Sequence, residues 1–110
     1  METKSALSAL AALAQESRLA IFRLLVATGP EGLAASKIAE ELGIPSSSLS
    51  FHLKELNYAE LIEARQEGRF IIYSANFSAM NDLIGFLTES CCGGKSCMPS
   101  TQKRSRKSTS

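Results

Sequence analysis

The chain has one histidine, His52, in 110 residues, and no glycine-rich phosphate loop. Nothing therefore pairs a nucleophile with a base, and an enzyme is not expected. Long apolar runs are missing as well. None approaches the roughly 20 residues that a membrane helix needs, so the expected setting is the cytoplasm. The alanine-leucine stretch Ala6–Ala14 resembles the apolar core of a secretion signal, but its leader is not basic, because Glu2 offsets Lys4. The run then passes into Gln15, Glu16 and Arg18 without a processing boundary, and a first helix is the expectation. Cations are scarce too: Met1 to Cys92 holds 7 Lys and Arg against 11 Asp and Glu, whereas Gly93 to Ser110 holds 5 basic residues and no acidic one. An acidic domain that binds a polyanion must gather its few cations on one face, with modest and salt-sensitive affinity. A solvated acidic domain with a basic tail is the alternative. The length allows one small core of marginal stability, which dimerisation would relieve.

What is present is organised around Ser36 to Leu61. Ile38, Ala39 and Leu42 make one helical stripe, and Gly43 supplies the backbone freedom to end that helix. Pro45 and Ser46 open the next, with Ser46 able to cap it. There Leu49, Leu53 and Leu56 face inward, and Ser47, Ser50, Phe51 and Lys54 project from the other side. Small hydroxyls allow close approach to base edges and phosphates, and a lysine neutralises backbone charge, which is what a helix-turn-helix requires of its reading helix. Phe51 has two explanations, contact with a thymine methyl or packing against a neighbouring element. His52 reads as a cap or phosphate contact at the edge of this helix, and Lys37 joins the same face.

Elsewhere, Leu7, Leu10 and Ala14 predict a first helix, and Ser17 or Glu16 starts a second whose apolar face is Leu19, Ile21, Phe22, Leu24 and Leu25, ending over Thr28 to Gly32. Arg18 pairs with a nearby carboxylate or contacts phosphate. Leu61 to Arg65 and Arg69 to Ser74 read as two strands around Gln66, Glu67 and Gly68, with Arg65 and Arg69 flanking the tip where they could straddle a phosphate or enter a minor groove. Asn76 is a fair N-cap for a last helix striped by Phe77, Met80, Leu83, Ile84 and Leu87.

The run Glu-Leu-Gly-Ile-Pro-Ser-Ser-Ser-Leu-Ser-Phe-His-Leu-Lys-Glu-Leu, followed by Ala59 to Ile62 and a short basic hairpin, resembles the winged helix-turn-helix of the ArsR/SmtB family of bacterial metal-responsive repressors. The likeness runs from about Leu7 to Leu87 and includes the second-helix string around Arg18. It implies a mainly α fold with a small β-hairpin. It also implies a homodimer built on the first and last helices, through Leu7, Leu10, Phe77, Met80, Leu83, Ile84 and Leu87, which presents two reading helices to operator double-stranded DNA. The expected organisation is a DNA-binding and dimerisation domain over 1–90, a cysteine cluster over 91–97 and a basic, disordered tail over 98–110.

All three cysteines fall in Cys91-Cys92-Gly-Gly-Lys-Ser-Cys97. Neighbouring cysteines bridge only with strain, and a cytosolic structural disulfide is not expected. Structural zinc wants four ligands and would be one short, whereas trivalent arsenic or antimony takes three thiolates in a pyramid. The count favours arsenite or antimonite. The family's Cys-Val-Cys position reads Leu33-Ala34-Ala35-Ser36-Lys37 and holds no ligand, and Asp82 on the last helix has no histidine partner. Other arsenic-responsive members place a cysteine pair and a third cysteine just past the last helix, which Cys91, Cys92 and Cys97 resemble. The leading expectation is a repressor released by metalloid. A thiol redox sensor joining Cys97 to Cys91 or Cys92, and a metal-buffering or interaction module without operator specificity, are the alternatives.

Overall fold

A computed structural model of the chain describes residues 1–90. The cysteine cluster and the 98–110 tail lie outside the described residues. Five helices and a three-stranded antiparallel sheet of order β1-β3-β2 form a winged helix-turn-helix.

Helix α1 spans Thr3–Leu13 and buries Ala6, Ala9 and Ala12, while Leu7 and Leu10 point outward. The small residues let α1 approach α2 and α4 closely, so its larger side chains are left on the far side. Helix α2, Glu16–Thr28, starts on Gln15, whose side chain accepts from the Arg18 amide at 2.9 Å. The guanidinium Nε of Arg18 donates to the Ala12 carbonyl at 2.7 Å. Arg18, partly buried, thus pairs with no carboxylate among the described residues: it closes the C-terminus of α1, where a cation is favoured. Of the apolar face expected on α2, Ile21, Phe22 and Leu25 are buried, but Leu19 is exposed.

Gly32 (φ +70°) leads into a strand that the sequence does not announce, β1 at Leu33–Ala34. A Cβ on Gly32 would lie 2.4 Å from the Tyr73 carbonyl oxygen, so only glycine fits this approach to β3. Helix α3, Ala35–Leu42, ends at Gly43 in the left-handed region (φ +66°), as its sequence predicts. Helix α4 spans Ser46–Tyr58. Its N-cap is Pro45, and no side chain caps it, so Ser46 is the first helical residue and not the cap.

The α4 helix ends at a turn through Glu60 (φ +64°), after which Leu61 and Ile62 are buried and strand β2, Ile62–Glu67, begins. Strand β3, Phe70–Ala75, returns in register from Glu67↔Phe70 to Ile62↔Ala75. The reversal is Gly68–Arg69, with glycine first and at φ +63°, one to two residues later than the sequence suggests. The hairpin is buried at its root and exposed at its tip. Asn76 caps α5, Phe77–Thr88, by accepting from the Ala79 amide at 3.1 Å. It also donates through its amide to Leu61 O at 2.8 Å and through Nδ2 to Glu60 O at 2.9 Å.

The core gathers Ile21, Leu25, Ile38, Leu56, Leu61 and Ile62 from α2, α3, α4 and the start of β2, all with 1% exposure or less. Each such side chain contributes about 1.5–3 kcal/mol by leaving water.

Candidate nucleic-acid interface

The leucines Leu49, Leu53 and Leu56 fix the rotation of α4 by entering the core, and this turns Ser46, Ser47, Ser50, Phe51 and Lys54 to solvent, as the spacing predicts. A proline N-cap offers no side-chain acceptor, so the first-turn amides face outward at the positive end of the helix dipole, ready for an anionic oxygen. His52 is half-buried beside this face. Its ring meets that of Phe51 edge-on at 5.9 Å and 62°, and its Nδ1 is buried without a hydrogen-bond partner. Lys37, on α3, forms an exposed pair with Glu40 at 3.6 Å, a contact too weak and solvated to hold it from other anions.

The two wing arginines part company. Arg69 sits in the turn itself, and among the described residues no hydrogen bond or ion pair engages it. Arg65 pairs with Ile72, well back from the tip. Its Nε donates to the Glu67 carboxylate at 2.5 Å, and its two terminal nitrogens donate to Glu31 O at 2.6 Å and Pro30 O at 3.2 Å. The guanidinium therefore fastens the wing to the loop between α2 and β1. Sequence reasoning missed this because the partners lie more than thirty residues away. It also missed Gly32, for which the Gly-Pro-Glu-Gly string marked only a turn.

A second surface lies on the opposite chemistry. Leu7, Leu10, Ile84 and Leu87 are exposed by 61, 38, 52 and 57% on α1 and α5. Beside them a groove of about 490 Å³ runs between α2 and α5, floored by Phe22, Met80 and Leu83. Of the residues expected at a dimer interface, Leu83 is instead buried in its own protomer's core, and Phe77 and Met80 pack partly against that core.

Residues 13–65 match the family described as a helix-turn-helix domain, a span from the end of α1 into β2. The nodulation protein NolR of Rhizobium meliloti is 32% identical over 80 residues, 73% of this chain and 63% of its own length. An ArsR-like transcriptional regulator from Rhodococcus sp. RHA1 superposes with a TM-score of 0.69 at 30% identity, covering 76% of both chains. The chain belongs to the ArsR family. A further structure at 26% identity and TM-score 0.63 covers 84% of this chain and 85% of its own. It is Mb0332 from Mycobacterium bovis, described as a homodimeric winged helix-turn-helix DNA-binding domain and a possible ArsR-family regulator. The matched part of this ArsR-family chain spans less than two thirds of the length of its curated relatives.

Within the described residues of this ArsR-family protein, no three His, Cys, Asp or Glu side chains come together as a metal site. No described helix is long and apolar enough to cross a membrane. The expected ligands Cys91, Cys92 and Cys97 lie outside the described residues.

Proposed function

We propose that this chain is a transcriptional repressor that binds operator double-stranded DNA as a homodimer and leaves it when arsenite or antimonite occupies Cys91, Cys92 and Cys97. The observation that carries the DNA reading is the outward face of α4, with its hydroxyls, its lysine and its uncapped N-terminus, set beside a wing tipped by Arg69. Serines allow the helix to enter a major groove closely, the free amides and Lys54 meet phosphates, and Arg69 reaches the backbone or the adjacent minor groove. The exposed aliphatic face of α1 and α5 suits a two-fold contact with a second copy, Mb0332 is described as homodimeric, and such symmetry would set two reading helices one DNA turn apart.

For the inducer, the support is the sequence: three thiols within seven residues, just past the helix that this dimer would use. Three thiolates satisfy a trivalent metalloid, and closing them around one atom would couple its binding to the end of the last helix, which they follow in sequence. The test is a parallel titration of the operator complex with arsenite, antimonite, zinc and peroxide. Release by arsenite or antimonite is expected, and Cys97→Ser should bind operator yet resist release at metalloid levels that free the wild type. Release by peroxide alone would replace this reading with a thiol redox switch, and binding without sequence preference would replace it with an interaction module.

A further inference from the structure

Phe51 is the one large apolar side chain in the first half of the outward face of α4, and it is 56% exposed; Tyr58, two turns on at the end of the helix, is 84% exposed. Its neighbours there are Ser47, one turn earlier, Ser50 beside it, and Lys54, three residues on. None of these is apolar, and Tyr58 is separated from Phe51 by the turn that carries Lys54, so on this helix Phe51 joins no continuous hydrophobic patch of the kind a second protein surface would cover. It is also absent from the packing shell of the protomer's core. Its one aromatic contact is the edge of His52 on the same helix, whose leucine neighbours hold it half-buried. The ring is thereby supported from behind and open in front.

We infer that Phe51 reads the C5-methyl group of thymine in the major groove and gives the protein a thymine requirement in each half-site. This rests on the DNA reading above and adds what the helix selects. A phenyl ring has no hydrogen-bond donor or acceptor for a phosphate or a base edge. The thymine methyl is the apolar feature that a base pair presents in the major groove. The serines on either side are short, so the ring extends past them and reaches the groove floor first. Phe51 also lies in the first half of α4, the part of a reading helix that approaches base edges. In a symmetric dimer the same contact occurs twice.

The test starts with duplexes selected by the full-length protein from a random library at fixed salt. Each thymine of a selected duplex is then replaced singly by uracil, which removes the methyl and leaves every hydrogen-bonding group in place. Dissociation constants are measured for the wild type, for Phe51→Ala and for Phe51→Leu. One thymine per half-site should weaken wild-type binding about fourfold on becoming uracil, and about fifteenfold when both half-sites are changed, the scale expected for one buried methyl. Phe51→Ala should bind the thymine and uracil duplexes alike, and Phe51→Leu should keep part of the discrimination. An unchanged melting temperature for Phe51→Ala would show that the fold is intact, as its exposure predicts. If no uracil weakens wild-type binding, or if the penalty is the same in Phe51→Ala, the inference is wrong and the DNA reading stands. If the wild type enriches no duplex, the DNA reading fails and takes this inference with it.

Discussion

Helices α4 and α5 each bury one stripe and show another, but what they show is opposite in kind. Helix α4 places leucines inside and hydroxyls, a lysine, one phenyl ring and, at its end, Tyr58 outside; α5 places Leu83 inside and Ile84 and Leu87 outside. A helix with aliphatic residues on both faces is complete only in an assembly, whereas one with short polar groups on its free face is complete alone and suited to a hydrated, charged partner. Under the proposed function the contrast divides the two surfaces between two partners, another copy for α5 and a polyanion for α4. It also separates the mutations that should abolish function from those that should tune it.

The harshest break is on the aliphatic side. Ile84→Asp puts a charge where a two-fold contact would bury it twice, and because Ile84 is exposed in the protomer the fold should survive. Sedimentation should show monomers with unchanged helix content, and operator affinity should fall by about a hundredfold or more as one half-site is lost. A dimer that persists would move the interface elsewhere.

Next comes a change that touches neither face. Gly32→Ala drives a methyl to 2.4 Å from the Tyr73 carbonyl at a positive φ, and should cost about 2–4 kcal/mol by prying β1 from β3. Denaturant unfolding measures it. A loss under about 1 kcal/mol would mean that the strand edge yields easily.

The polar side should respond in smaller, graded steps. Lys54→Ala and Arg69→Ala should each lower the slope of log affinity against log salt by about 0.9, one phosphate each, across all sequences. Arg65→Ala should leave that slope nearly unchanged, since its charge is matched by Glu67, and should instead lower wing stability by about 1 kcal/mol through lost bonds to Pro30 and Glu31. An equal slope change for Arg65 and Arg69 would erase the distinction drawn between them. The mildest case is Ser50→Ala, expected to shift preference among operators by about a few-fold with little effect on binding to bulk DNA. Competition with unselected duplex separates the two quantities.

These faces were largely legible in the sequence because each depends on local periodicity. Leucines at i, i+4 and i+7 orient α4 whatever surrounds it, Gly43 ends α3 by backbone freedom alone, and Asn76 caps α5 with its own side chain. What stayed hidden depends on distant partners. Leu33–Ala34 is a strand because β3 offers it an edge, and two residues carry no alternation to announce it. On α1 both alanines and leucines recur at helical spacing, and only the closeness of α2 and α4 decides that the alanines go inside. Arg65 looked like a twin of Arg69 because both flank a glycine turn, and a bond network across the chain distinguishes them. The three thiols were conspicuous as a motif, but their geometry lies beyond residue 90.

Asn76 gives these separate surfaces a mechanical relation. With its backbone amide on Leu61, its Nδ2 on Glu60 and its oxygen on Ala79, one residue pins the exit of α4 to the entry of α5. It works as a fulcrum: α5 cannot swing without dragging the Glu60 turn, unless bonds of about 1 kcal/mol each are broken. A displacement at the start of α5 is thereby passed to the end of α4 through two hydrogen bonds, from Asn76 N to Leu61 O and from Asn76 Nδ2 to Glu60 O.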